Sequence, residues 1–320
     1  MTTTIDRVLR SNLKLKHLQL LIALDQFRHL GKTAEFLSVT QPAVSKTLGE
    51  IERMFEAVLF LRSTRGTEPT PTGETVIRFA RHVIAEYEKT RDALQSAQDG
   101  SAGRVSVGAM VVATPVLLVQ ALQRFKQAMP AATVLVEEGD LTRLLPRLRM
   151  GELDLIVGRL EPGYAAPDLH TEALCQEPMC LICAPDHPLS QDKRVGWARL
   201  QQERWVMPPP WATSRTKLHQ LFYKNRLNPP TDCVESASFL VTLSQVTELG
   251  AIGFVADNVG RKLQSQGLAH VLPVALPMEL PPLGLIRLQG RALSPTAERL
   301  SQAVREIAVG WGVRSATAGD

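Results

Sequence analysis

The sequence predicts an α/β chain in two parts: an all-α winged helix-turn-helix head with a long linker helix, then a larger α/β part. Three observations predict it. Apolar residues recur at helical spacing through most of the first hundred positions, broken by one short extended stretch. The run Asp99-Gly100-Ser101-Ala102-Gly103 then interrupts the pattern with linker composition. Beyond it, short apolar runs alternate with amphipathic ones, as parallel strands with crossover helices require. At 320 residues the chain exceeds what one hydrophobic core serves comfortably, so at least two domains are expected.

Leu15, Leu18, Leu21 and Ile22 set a first helix ending near His29-Leu30-Gly31. KTAEFL gives a short second helix, Ser38-Val39 a turn, and TQPAVSKTLGEIERMF a third helix. In that third run Thr40 suits the N-cap, and Pro42 falls in the first turn, where its missing N–H does no harm. Val44, Leu48 and Ile51 form one apolar stripe and leave Gln41, Ser45 and Lys46 on the opposite side. Two short helices joined by a tight turn, the second with small polar residues at its exposed start, are helix-turn-helix patterning. VLFLRSTRGTEPT follows as a strand, a basic turn at Arg65-Gly66 and a second extended piece, a wing that closes a first domain over 12–70.

Thr70 as N-cap and Pro71 at the first helical position open the linker helix, 71–99. Val76, Phe79, Val83, Tyr87 and Leu94 recur along it. At ~1.5 Å per residue it would be roughly 40 Å long, more than a small domain needs, which points to pairing with a second copy. The competing reading packs it wholly within its own chain. The remaining domain, 101–313, starts with the strand RVSVGAM, the helix TPVLLVQALQRFKQAMP, the strand ATVLVEEGD, the helix LTRLLPRLRMG and the buried strand LDLIVG. It continues through PMCLICAP, WVMPP, the helix SRTKLHQLFYKNRL, the extended TDCVESA, the helix SFLVTLSQVTELG, the strand AIGFVA, PLGLIRLQG and a final helix SPTAERLSQAVREIA.

Composition narrows the function classes. Hydrophobic residues at 44% and charged ones at 21% exclude wholesale disorder. The excess positive charge is concentrated: residues 1–65 hold ten Lys/Arg against six Asp/Glu, and the rest is balanced. That asymmetry points to nucleic acid, although a solvated basic face is the plainer alternative. MTTTIDRVLR lacks the apolar core of a signal peptide and no apolar run is long enough to span a membrane, so a cytoplasmic protein without membrane association is expected. Cys180-Leu-Ile-Cys183 has metal or redox spacing, but no second pair follows, and MCLICA also reads as a buried strand. Neither a GxSxG, P-loop or HExxH segment nor a paired histidine supports an enzyme, and no cofactor or metal is expected.

The head is similar to that of the LysR-type transcriptional regulators, carried by LKHLQLLIAL, GKTAEFLSVTQPAVSKTLGEIE and LFLRSTRGTEPTPTG. The later residues match in layout and in echoes such as GELDLIVGRL and LSPTAERL, and the head looks closest to the branch containing regulators of sugar-binding-protein genes (galactose-binding-protein regulators) and of aromatic-catabolism genes. The resemblance implies double-stranded DNA as partner, with Thr40, Gln41, Pro42, Ser45 and Lys46 at the major groove or its phosphates and wing residues Arg62, Thr64 and Arg65 at phosphates or the minor groove. Lys46 stands where the family often has Arg, and Leu61 where an acidic residue is common. It also implies an effector-binding domain similar to periplasmic solute-binding proteins, with lobe I over about 101–173 and 272–313 and lobe II over about 174–271. A small-molecule co-inducer, self-assembly as a dimer of dimers (a homotetramer) and contact with RNA polymerase follow from the same resemblance. Effector-binding candidates lie where strands end and helices begin: Thr114, Arg159, Trp211, Thr213, Ser214, Ser236 and Ser238. Each also has a structural reading, because Thr114, Ser214 and Ser238 can cap helices and Arg159 can pair with Glu161 or Asp168. The alternative function is a solute-binding or enzymatic α/β domain with an incidental DNA-binding head.

Overall fold

The computed structural model describes residues 13–63, 66–99 and 103–317. The chain divides into two compact units, the helical head with its long helix and the α/β part that starts at Arg104. In the head, α1 (Leu15–Phe27), α2 (Leu30–Phe36) and α3 (Gln41–Phe55) are followed by strands β1 (Phe60–Ser63) and β2 (Gly66–Pro69) and by α4 (Pro71–Asp99). The second helix starts at Leu30, earlier than its KTAEFL pattern implies, because the His29 ring accepts from the amides of Gly31 and Lys32 and caps it. Leu18, Leu21 and Leu24 of α1, Val44, Leu48 and Ile51 of α3, Leu59 and Phe60 of the wing make one core. Each such side chain contributes about 1.5–3 kcal/mol by leaving water.

The long helix corrects one expectation. Thr70 caps it, its hydroxyl accepting from the Gly73 amide at 2.9 Å. Its apolar residues, however, do not form one free seam. Val76, with Ile77 and Ala80, belongs to the head's own core, and Val83 and Ile84 pack beside them. Phe79, Tyr87 and Leu94 remain exposed, at 43%, 48% and 60%. A stripe counted by spacing alone merges these two neighbouring faces.

The second unit contains two five-stranded sheets. Lobe I holds β3 (Arg104–Ala109), β4 (Thr133–Glu138), β5 (Leu155–Arg159), β6 (Leu169–Cys175) and, far along the chain, β12 (Leu283–Leu288), in the order β4-β3-β5-β12-β6. Its β3 pairs parallel with β4 and β5, while β12 runs antiparallel to β5 and β6. A short π-helix (Thr114–Leu118) leads into α5 (Val119–Ala128), and α6 (Leu141–Arg149) packs Leu141, Leu144, Leu145 and Leu148 on the sheet as one stripe.

Lobe II holds β7 (Met179–Cys183), α7 (Trp197–Gln201), β8 (Trp205–Met207), α8 (Thr213–Lys224), β9 (Cys233–Glu235), α9 (Phe239–Leu249), β10 (Ile252–Ala256), α10 (Asp257–Ser265) and β11 (His270–Val271). Its sheet order is β11-β7-β10-β8-β9, with β8 parallel to β9 and β10 and the other pairs antiparallel. Trp205 is fully buried, edge-on to Phe222 at 5.6 Å, and its indole N–H donates to the Leu200 carbonyl. The final helix, α11, runs Pro295–Thr317. Val274, Leu276 and Met278 still pack on the lobe II core, so the return to lobe I comes later than the expected residue 272. The sheets are mixed rather than wholly parallel, because β12 enters lobe I antiparallel and β7 and β11 do the same in lobe II.

Candidate functional site

Two surfaces collect the residues singled out by the sequence. On the head, Thr40 is the N-cap of α3, its hydroxyl accepting from the Ala43 amide at 3.4 Å. Val44, Leu48 and Ile51 are fully buried, which fixes the rotation of α3 and leaves Gln41, Pro42 and Lys46 exposed with Ser45 half-buried. The wing is tied to this helix twice. The Glu52 carboxylate accepts from the amides of Leu59 at 2.9 Å and Phe60 at 3.2 Å. Arg62 Nη1 donates to Ser45 Oγ at 2.9 Å, so two expected DNA-contacting residues hold each other in the free protein. Gly66 has φ +139°, and a Cβ there would stand 2.7 Å from the Arg28 carbonyl oxygen, which accepts from Thr67 N. Thr64 and Arg65 lie outside the described residues.

The second surface is a cavity of about 400 Å³ between the lobes. Arg159, Trp211, Thr213, Ser214, Ser236 and Ser238 line it together. Thr114 does not: its hydroxyl donates to the Met110 carbonyl at 3.1 Å, and its neighbour Pro115 reaches the wall instead. Ser238 caps α9 by accepting from Val241 N, and Ser236 Oγ accepts from Ser238 N at 3.0 Å. Methionine, proline, valine and phenylalanine residues supply much of the remaining wall, the apolar share expected of a small-molecule site.

Arg159 departs most from its expected surroundings. It ends β5 and is 4% exposed. Neither Glu161 nor Asp168 takes its guanidinium. Nη1 donates to the Pro281 carbonyl at 2.8 Å and Nη2 to the Glu177 carbonyl at 2.7 Å. Glu177 lies in the crossing from β6 to β7 and Pro281 in the crossing from β11 to β12, so one side chain clamps both connections between the lobes. Burial pulls the Arg159 pKa down, opposed by the nearby charges of Glu177 and Glu161. Burial pushes the Glu177 carboxyl up, opposed by hydrogen bonds from the Asn258 amide and side chain.

Sequence reasoning missed several lining residues: Glu138 at the end of β4, Asp140 and Arg143 at the start of α6, and Glu161 and Tyr164 after β5. Of these, Glu161 stood out only as an ion-pair partner for Arg159. Its Oε2 instead accepts from Thr213 Oγ1 at 2.8 Å, across the cleft. A second link crosses where Lys262 Nζ donates to the Pro115 carbonyl at 3.1 Å. The cysteines of MCLICA lie buried on β7, and burial pushes the Cys183 thiol up to about 12, so it packs as a small apolar group.

A helix-turn-helix with a wing, followed by two α/β lobes around a cavity, defines a DNA-binding regulator carrying a domain for a small molecule. The chain belongs to the LysR family of transcriptional regulators: residues 15–74 match the bacterial regulatory helix-turn-helix model of the lysR family, and residues 98–308 match the LysR substrate binding domain. It is 31% identical to the HTH-type transcriptional regulator GbpR of Azospirillum brasilense over 300 residues, covering 93% of this chain and 87% of the relative. It is 29% identical to GalR of Pseudomonas putida, covering 91% and 73%. In fold it is similar to CbnR, a LysR family transcriptional regulator, with a TM-score of 0.68 at 19% identity over 92% of this chain and 99% of that one. Full-length CbnR complexed with its target DNA gives 0.69 at 19% identity, covering 92% and 100%.

Proposed function

We propose that this regulator reads its operator through the exposed start of α3 and answers to a small molecule held between the lobes. The observation that carries it is the fixed presentation of Gln41, Pro42 and Lys46, with the wing tethered to the same helix through Ser45 and Glu52. Gln41 would pair bidentately with adenine, Lys46 would reach guanine acceptors or a phosphate, and Pro42 would meet a thymine methyl. Thr40 would hold the helix start in place, while Arg62, Thr64 and Arg65 would contact phosphate or minor groove. In the cleft, Ser214, Ser236 and Trp211 face the ligand, Ser238 and Thr213 shape the helix starts around it, and Arg159 sets the hinge.

The same reading makes the protein a cytoplasmic dimer of dimers that contacts RNA polymerase, with no catalysis of its own and no cofactor. Among the described residues no helix is long and apolar enough to cross a membrane. The test is an electrophoretic shift of the DNA upstream of its own gene. Gln41→Ala should cost ~1–3 kcal/mol at one base position and relax specificity there. Equal losses on operator and random DNA would remove Gln41 from the reading surface.

A further inference from the structure

We propose that Glu161 sets the ligand class of the cleft: it excludes carboxylate ligands and leaves the cavity to a hydroxyl-rich molecule without negative charge. The inference rests on the cleft being the effector site. α8 begins on the cavity wall at Thr213, with Ala212 as N-cap and no side chain capping it. The first turn of a 12-residue helix, with its free N–H groups and positive dipole end, is where a ligand carboxylate would gain most. A carboxylate already stands beside that place. Glu161 reaches it from the opposite lobe and accepts from Thr213 Oγ1 at 2.8 Å.

A second anion brought there would meet Glu161 at close range, in a site partly screened from water, where like charges repel strongly. Glu138 and Asp140 add carboxylates on the same lobe. The cations of the lining offer little in return. Arg159 has both terminal nitrogens on main-chain carbonyls and the charges of Glu161 and Glu177 beside it, and Arg143 is exposed to solvent.

The remaining groups say what does fit. A ligand must donate to carboxylates and also engage hydroxyls such as Ser236, which accepts from Ser238 N and keeps its own proton to donate. A hydroxyl both donates and accepts; an ammonium only donates and a carboxylate only accepts. Trp211, 69% exposed, and Tyr164, 40% exposed, stand on opposite lobes and offer flat apolar faces to the carbon skeleton.

Calorimetry of the full-length protein with D-glucitol, D-glucamine and D-gluconate, which differ at one terminal group, tests this. Both D-glucitol and D-glucamine should bind about ten-fold or more tighter than D-gluconate. Glu161→Gln, which keeps size and hydrogen-bonding capacity, should bring gluconate to within about three-fold of glucitol. Four results overturn the inference: gluconate binding wild type as tightly as glucitol, gluconate binding as tightly as glucamine, a ratio unchanged in Glu161→Gln, or no binding of glucitol at about 10 mM. Glucitol affinity unchanged by the cavity-filling Ser236→Trp would instead sink the cleft reading itself.

Discussion

At the scale of single residues, the Glu172–Arg305 pair shows how lobe I depends on pH. Arg305 donates to both carboxylate oxygens of Glu172, from Nε at 2.9 Å and Nη2 at 3.0 Å. Those bonds hold the Glu172 carboxyl below its ordinary range. A carboxylate whose folded pKa lies below its unfolded one stabilises the fold above the unfolded value, and that stabilisation disappears as pH falls through the folded one. Arg305→Ala should cost about 1 kcal/mol at neutral pH, since both groups are partly screened, and the cost should shrink as the solution is acidified below the carboxylate range. Scanning calorimetry of both proteins across that range checks it; a pH-independent deficit would mean lost packing alone. Arg159 marks where sequence reading stopped at this scale. Glu161 and Asp168 are near in sequence, whereas its acceptors are main-chain carbonyls 18 and 122 residues away, which leave no trace in residue types.

At the scale of elements, α4 separates two roles that its periodicity runs together. Val76 and Val83 serve the head's own core, while Phe79, Tyr87 and Leu94 face outward. Phe79→Glu should dissociate the oligomer at micromolar protein with little change in head stability. Val83→Glu should lower the melting of the head itself, because it forces a charge against an apolar cluster. Sedimentation velocity with circular dichroism distinguishes the two, and an unchanged sedimentation coefficient for Phe79→Glu would remove the outward face from the dimer seam. Elements whose cues are local were legible: α3 from its cap and stripe, the wing from its basic turn, β5 from its apolar run. Strand β6 (LHTEALC) was not. It pairs with β12, which lies more than a hundred residues further on, and its mixed burial gives neither a clean alternation nor a continuous apolar run.

At the scale of the whole molecule, the charge distribution governs association with DNA. The positive surplus lies in residues 1–65, and the remainder is neutral overall. Binding should weaken steeply with salt, with a log–log slope near ~−0.9 per phosphate contacted, because each contact releases condensed counterions. Fluorescence anisotropy of operator binding across a salt series reads that slope, and a flat line from low to physiological salt would refute phosphate contact as the main attraction. The two-part plan was legible in the composition of the linker and the change of periodicity around it. The cleft was legible as a set of helix starts, but not as a balance of charges, because Glu138, Asp140 and Glu161 converge only once lobe I has folded.

The clamp formed by Arg159 limits how the lobes can move. Both crossings between them are fastened to one buried guanidinium, and twisting either alone would strand a cation in a dry interior. Any movement of one lobe against the other would therefore have to turn both crossings together about that point. On the proposed reading, a ligand in the cleft would be registered as a single angle, so two ligands with different contacts but equal girth would be the same signal to this protein.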